Sequence, residues 1–348
     1  MNINESLVPL RGFFDDTMNL YHNIKQALLQ ANTIVITSHR SPDGDSIGSS
    51  MAMYHLLKKW NKNVQVVHPD SAPVFLQWVP NQHDIIVFEQ HSEKAASLLK
   101  DTELILCLDY NEESRVGEEM MQVLVQSSAK KIMIDHHTHP SDFCQLILSE
   151  VSASSTCELI YKWLTEIAET KIIDECIGTC LYLGLMTDTG SFRFPSVSSF
   201  THQMAADLIA KGVKHYQIHE AVFDTNTIDR IKLRGYALSD KLVCLSNLPV
   251  AYISLEEQEL KRFNYQKGDT EGLVNQILSV QGIEMAVLFM ENDGKIKISF
   301  RSKGDTFVNE MAKKHFSGGG HVYASGGVSF DSMQQTVEKF VTLVKEYV

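Results

Sequence analysis

Aspartate and histidine concentrate in four short segments of this chain. The first is His39-Arg40-Ser41-Pro42-Asp43-Gly44-Asp45-Ser46, and the second ends in Asp109. The third is Asp135-His136-His137, and the fourth is Thr187-Asp188-Thr189-Gly190. Carboxylate and imidazole donors without thiolate suit Mn²⁺ or Mg²⁺, and less strictly Fe²⁺, Co²⁺ or Zn²⁺. Asp43 and Asp45 stand two apart around a glycine, so a tight loop can send their side chains to two different ions, and Asp109 can bridge both. Two divalent ions about 3.5–4 Å apart can share a hydroxide and stabilise in-line attack on phosphorus. A second histidine beside a ligand histidine is then free to act as general acid. Singly, each segment has a plainer explanation: Asp-Gly-Asp is usually a turn, and an Asp ending a strand is usually a helix N-cap. Their combination at the ends of successive predicted elements is what points to a metal centre.

Those segments need a frame. Short apolar, often β-branched runs at 33–37, 63–67, 84–88, 103–108 and 131–134 alternate with helical patterns at 46–60, 93–100 and 115–126. Nearly continuous apolar strands separated by helices predict a parallel sheet covered on both faces, an α/β doubly wound arrangement. Ligands of such sheets bind outside the carboxyl ends of the strands, where the first three segments fall. The pattern is mainly helical from 154 to about 215, with segments at 154–168, 172–186 and 199–212, and Asp188 closes the second of these. Residues 226–240 read as a polar helix. Strands at 241–245, 249–254, 284–290 and 295–300, with helices at 271–280, 306–315 and 332–346, predict a smaller α+β domain behind it.

A chain of 348 residues fits about two domains, and 44% hydrophobic with 21% charged residues excludes disorder, collagen and coiled coil as overall descriptions. Lys plus Arg number 31 against 43 Asp plus Glu, a formal charge of −12 that repels long duplex nucleic acid unless basic residues cluster. No window approaches about 18 uninterrupted apolar residues, and the first residues lack a basic-then-apolar leader pattern. A cytoplasmic chain without membrane association is expected. The six cysteines form no C-x-x-C and sit in apolar contexts, which fits a reducing compartment.

With these residues in view, the chain resembles the DHH phosphoesterases, named for the triplet Asp135-His136-His137. His39 to Asp45, Asp109, the triplet and Asp188 match the four N-terminal motifs of that family. Gly318-Gly319-Gly320-His321 with Ala324-Ser325-Gly326-Gly327 matches its associated C-terminal domain. The two-domain layout is similar to the NrnA-like branch of bifunctional oligoribonucleases. The resemblance implies a catalytic metal-binding DHH domain over 1–222, a helical connector over 223–240 and a substrate-binding domain over 241–348, with the site in the cleft between the domains. It further implies hydrolysis of short oligoribonucleotides to mononucleotides and dephosphorylation of 3′-phosphoadenosine 5′-phosphate (pAp), by a hydroxide bridging two Mn²⁺ ions, with Mg²⁺ or Co²⁺ as substitutes. Hydrolysis of cyclic di-AMP and non-catalytic nucleotide binding are the competing readings. A homodimer is the expected assembly.

The same resemblance implies roles. One ion falls to His39 and Asp43, the other to Asp45, His136 and Asp188, and Asp109 bridges them. Asp135 would orient His136 or His137, and His137 would be the catalytic histidine. Arg115, in Ser114-Arg115-Val116-Gly117, either reaches the site or caps the domain surface. In the C-terminal domain, Gly318, Gly319 and Gly320 would let the backbone approach a phosphate, with His321 beside them. Arg301 suits a bidentate phosphate contact, in a stretch made locally basic by Lys297, Lys303, Lys313 and Lys314. Phe192, Phe194, Phe316 and Tyr323 are candidates for stacking on a base.

Overall fold

The computed structural model describes residues 8–348, with side chains from residue 17 onward. The chain forms two compact units that divide between Thr225 and Asn226.

The first unit begins with helix α1 (Val8–Gln30) and strand β1 (Thr33–Thr37), followed by α2 (Gly44–Lys59) and β2 (Asn63–His68). Then come β3 (Ile86–Val87), α3 (Ser92–Asp101), β4 (Leu104–Leu108), α4 (Glu118–Gln126), β5 (Lys130–Asp135) and β6 (Leu146–Ser149). Four helices complete the unit: α5 (Thr156–Glu166), α6 (Glu175–Asp188), α7 (Ser199–Ala210) and α8 (His215–Phe223). The six strands form one sheet in the order β3-β2-β1-β4-β5-β6, every neighbouring pair parallel. Because strand side chains alternate between faces, the apolar runs feed two cores. Ile34, Ile36, Leu104, Leu106 and Ile134 pack with α2, α5 and α6 on one face. Val35, Ile105, Cys107 and Met133 pack with Ala95, Leu99, Met120 and Leu124 of α3 and α4 on the other.

The second unit contains α9 (Ile228–Asp240), β7 (Leu242–Cys244), β8 (Val250–Leu255), α10 (Glu257–Arg262), α11 (Leu273–Leu278) and β9 (Met285–Asn292). It ends with β10 (Lys295–Ser302), α12 (Asn309–His315), β11 (Gly319–His321), β12 (Ala324–Ser329) and α13 (Met333–Leu343). Its sheet runs β11-β12-β10-β9-β8-β7, with β8 and β9 parallel and the other pairs antiparallel. Leu233 and Ala237 of α9, the helix read from sequence as a connector, are buried in the core of this unit.

The α/β parallel sheet and the α+β second unit follow the sequence reading. Six elements do not come from it: α1, β6, α8, α10, and the two strands of the β11–β12 hairpin with its glycines. The run Leu146-Ile147-Leu148-Ser149 is too short to stand out, and it is a strand because it pairs with Ile132–Asp135 at the sheet edge.

Candidate metal centre

Strand order reverses between β1 and β4, and the crevice at such a reversal is where doubly wound sheets place their ligands. His39 lies two residues past β1, Asp109 directly follows β4, and Asp135 is the last residue of β5. Asp109 adopts a left-handed backbone with φ of 64°, a conformation that Asp tolerates better than most non-glycine residues. Its N–H donates to Ile134 O at 3.1 Å, which ties the turn to the neighbouring strand.

The imidazole Nδ1 of His39 is 2.7 Å from Arg40 O and is its donor, so Nε2 carries the lone pair. That nitrogen lies 3.3 Å from Asp109 Oδ2 and 3.8 Å from Asp43 Oδ2. Asp43 is the N-cap of α2: its Oδ1 accepts from the N–H groups of Asp45 and Ser46 at 3.1 and 3.0 Å. The capping role occupies one oxygen and leaves the other facing His39, so the plain reading and the ligand reading hold together in one residue. Asp45 is wholly buried in the first turn of α2. Its two oxygens accept from the backbone N–H groups of Thr156 at 2.6 Å and Cys157 at 3.0 Å, at the start of α5.

His136 donates from Nδ1 to Ala153 O at 3.2 Å. Its Nε2 is 3.2 Å from Asp188 Oδ2, 3.7 Å from Asp109 Oδ1 and 3.9 Å from Asp45 Oδ2. Three sets of donor atoms therefore each fall within 4.8 Å of one another: His39 with Asp43 and Asp109; Asp45 with His136 and Asp188; and Asp109 with His136 and His137. Asp109 and His136 each belong to two of them.

Asp135 resolves toward His137. Its Oδ1 is 2.6 Å from His137 Nδ1, and its Oδ2 accepts the His137 backbone N–H at 3.0 Å. This carboxylate fixes the ring and its tautomer, which places the lone pair on Nε2. Arg115 lies in a 3₁₀ turn, and its carbonyl accepts the N–H of Arg40 at 2.8 Å, bracing the loop after β1. Its side chain makes no hydrogen bond or ion pair among the described residues, and its Nε is buried.

The charges in this crevice are poorly balanced. Burial and the nearby Asp45, Asp43 and Asp188 carboxylates push the Asp109 carboxyl well above the usual range. Burial and Asp45 push Asp188 up to about 7, against the pull of His136. Although burial opposes it, Asp188 with Asp109 and Asp45 raises the His136 imidazole well above its ordinary value. Crowded carboxylates with imidazole nitrogens pointing inward and no thiolate among the three donor sets form a site that divalent cations would neutralise, so the donors fit hard divalent metal.

Sequence reasoning missed Thr156. Besides its N–H bond to Asp45, its hydroxyl donates to Asp109 Oδ1 at 3.0 Å. Ser152-Ala153-Ser154-Ser155-Thr156 ahead of an apolar run is an N-cap signal, Ser155 is the cap, and a helix start favours a carboxylate.

In the second unit, β-sheet register pairs Arg301 with Ala324 and Ala324 with His321, so Arg301 and His321 share one face of the sheet. Arg301 is half-buried, and Gly319 has open space beside its Cα. A side chain at Gly318 would strike Gly326 O, and one at Gly320 (φ of 139°) would lie 2.6 Å from Ala324 O. Close strand pairing alone demands these two glycines. Of the aromatic candidates, Phe316 is core, Phe192 stacks on His202 at 5.6 Å, and Phe194 and Tyr323 are exposed.

A parallel sheet with an Asp/His cluster at its switch point, joined to a glycine-containing mixed-sheet unit, defines a class. Residues 33–185 match the DHH family, N-terminal domain, and residues 247–348 match the DHHA1 domain. The chain belongs to the DHH phosphoesterase family, and it is a hydrolase. Among relatives, it is similar to the bifunctional oligoribonuclease and PAP phosphatase NrnA of Bacillus subtilis, 27% identical over 91% of this chain and 96% of that protein. It is also 26% identical to the cyclic-di-AMP phosphodiesterase GdpP of Bacillus subtilis, over 94% of this chain and 49% of that protein. An exopolyphosphatase-related protein from Bacteroides fragilis superposes with a TM-score of 0.91 at 36% identity, covering 94% of this chain and 96% of the other.

Proposed function

We propose that the chain hydrolyses short single-stranded oligoribonucleotides to mononucleotides as an exonuclease and removes phosphate from pAp, using two Mn²⁺ ions. The observation that carries this reading is the sharing of Asp109 and His136 between donor sets, an arrangement suited to two neighbouring cations. His39 and Asp43 would hold one ion, Asp45, His136 and Asp188 the other, and Asp109 both. Bound divalent cations supply Lewis acidity to phosphoryl oxygens and lower the pKa of water. The protein's own groups supply the rest. His137, its Nδ1 held by Asp135, presents Nε2 to hold or give a proton at the departing oxygen. Arg115 is uncommitted and near the loop after β1, and it would meet phosphate oxygens. Arg301, His321 and the glycines from Gly318 to Gly320 would bind the substrate in the second unit, where Arg301 and His321 share a sheet face.

The similarity to the NrnA protein over nearly the full length of both chains supports the oligoribonuclease and pAp reading. The similarity to the GdpP protein favours cyclic di-AMP as a second substrate class at the same residues. No helix among the described residues is long and apolar enough to cross a membrane. All six cysteines are free, which fits a reducing cytoplasmic setting.

A turnover assay with Mn²⁺ tests the proposal, offering labelled RNAs of two to five nucleotides, pAp, cyclic di-AMP and polyphosphate in parallel. Stepwise release of mononucleotides with phosphate release from pAp is the expected result. Preference for cyclic di-AMP would move the chain to the second reading. Turnover of none of them would overturn both.

A further inference from the structure

The loop from His39 to Asp43 joins β1 to α2, and its two ends are the residues that would serve one ion alone. Its middle residue, Ser41, has a left-handed backbone with φ of 54°. Serine has no special tolerance for that region, and a residue before proline, as Ser41 is before Pro42, ordinarily stays extended. A conformation disfavoured on both counts persists only where the surroundings impose it. The ring of Pro42 fixes its own φ, so a change at Ser41 is passed on to Asp43 and not absorbed between them.

Asp70 imposes that conformation. Two residues past β2, it accepts the Ser41 N–H on Oδ1 at 2.8 Å. The carboxylate is only 5% exposed, and a charge-assisted bond away from water is a strong one. The segment that carries Asp70 is itself pinned to the residues after β3. There the Phe88 N–H donates to His68 O at 2.8 Å, the Glu89 N–H to Pro69 O at 3.1 Å and Gln90 Nε2 to Ser71 Oγ at 2.8 Å. Other supports of the loop lie to one side of Ser41. The Arg40 N–H donates to Arg115 O at 2.8 Å, and the Arg40 guanidinium meets Glu89 at 3.0 Å in an exposed pair, a kind worth little.

The donors given to the other ion do not lean on this strut. Asp45 is seated on the Thr156 and Cys157 amides, His136 on Ala153 O, and Asp188 is the last residue of α6. We propose that Asp70 is a positioning residue for one ion only. It holds Ser41, and through Ser41 the spacing of His39 and Asp43, without being a ligand itself. This rests on the two-ion reading given above and adds to it that the two positions have different supports. Loss of Asp70 frees the loop and leaves the Asp45–His136–Asp188 position as it was.

The test is Mn²⁺ titration of the full chain by calorimetry, with electron paramagnetic resonance, on wild type, Asp70→Ala and Asp70→Asn. Neighbouring Mn²⁺ ions that share a carboxylate couple magnetically and an isolated ion does not, so the spectrum reads occupancy without turnover. Wild type should take two ions and give the coupled spectrum. Asp70→Ala should keep one ion at wild-type affinity and bind the other about 10–100-fold more weakly. At Mn²⁺ concentrations that just fill wild type, its spectrum should be that of an isolated ion. Asp70→Asn still offers an oxygen to the Ser41 N–H and should take both ions with the coupled spectrum. Being isosteric, it reads the hydrogen bond even if the alanine chain fails to fold. Two ions at wild-type affinity in Asp70→Ala, or equal weakening of both in a chain with wild-type circular dichroism, would overturn the role of Asp70. Loss of the coupled spectrum in Asp70→Asn would do the same, and each of these leaves the two-ion reading standing. Fewer than two ions in wild type would overturn that reading and the proposal with it.

Discussion

The backbone N–H of Thr156 donates to Asp45 Oδ2 at 2.6 Å, joining residues 111 positions apart. The same residue's hydroxyl reaches Asp109 Oδ1 at 3.0 Å. One residue at the start of α5 thereby sets the spacing of two buried carboxylates that belong to different donor sets. Two amides at a helix start are a favourable seat for the Asp45 charge, which the apolar packing around α2 and α6 would otherwise penalise.

Thr156→Val keeps the backbone bond to Asp45 and removes the hydroxyl bond to Asp109. Its Mn²⁺ affinity should fall by about 10–100-fold, the usual cost of losing a partner behind a metal ligand. Thr156→Ser should bind nearly as wild type does. Titration calorimetry decides; equal affinities for Val and wild type would remove Thr156 from any positioning role.

Asp135→Asn leaves the fold of β5 intact but no longer offers a carboxylate to His137 Nδ1. The expected loss in kcat is about 100-fold or more, with the Mn²⁺ content of the protein unchanged, because the imidazole loses its fixed tautomer. Metal analysis alongside steady-state kinetics separates this from ligand loss. A variant that turned over at nearly the wild-type rate would contradict the part given to the Asp135–His137 pair.

Asp109→Asn should stabilise the metal-free chain while abolishing turnover. The amide relieves like-charge repulsion with Asp45, Asp43 and Asp188 and can still accept from Thr156. Wild type should gain about 2.7 kcal/mol from Mn²⁺ at one hundred times its Kd, and the variant much less. Thermal unfolding with EDTA and with Mn²⁺ reads both effects. A variant less stable than wild type in EDTA would show that the crowding of Asp109 is not a strain on the empty crevice.

His68 ends β2, and burial, with a smaller contribution from neighbouring His39, lowers it from 6.5 to about 3. The unfolded chain therefore binds this proton between those values and the folded chain does not. Stability is fully present above pH about 6.5 and is lost as pH falls toward about 3, by up to about 1.4 kcal/mol per pH unit. Between pH 7 and pH 5, wild type should lose about 2 kcal/mol more than His68→Gln in urea unfolding with EDTA present. Equal losses would mean that His68 carries its proton in the folded state.

Much of the frame was legible because buried parallel strands are nearly continuous apolar runs: Thr33–Thr37 was bounded to the residue. The metal-ligand candidates were legible because Asp and His have few structural reasons to gather at the ends of three strands and one helix in one chain. What the sequence hid were relationships made only by folding. The edge strand Leu146–Ser149 exists through pairing with β5, and the link from Thr156 to Asp45 and Asp109 has no local signature beyond a helix cap. Gly318 and Gly320 read from sequence as places where the backbone approaches a phosphate, and the pairing of β11 with β12 supplies another reason, close backbone packing. The choice between His136 and His137 as the partner of Asp135 likewise needed coordinates, since neighbouring rings point to different sides.

Anomalous diffraction at the manganese edge, from crystals grown with Mn²⁺, tests the centre most directly. Two peaks per chain are expected, both within ligand distance of Asp109, one shared with His39 and Asp43 and the other with Asp45, His136 and Asp188. A lone peak held by other residues, or none beside Asp109, would contradict it.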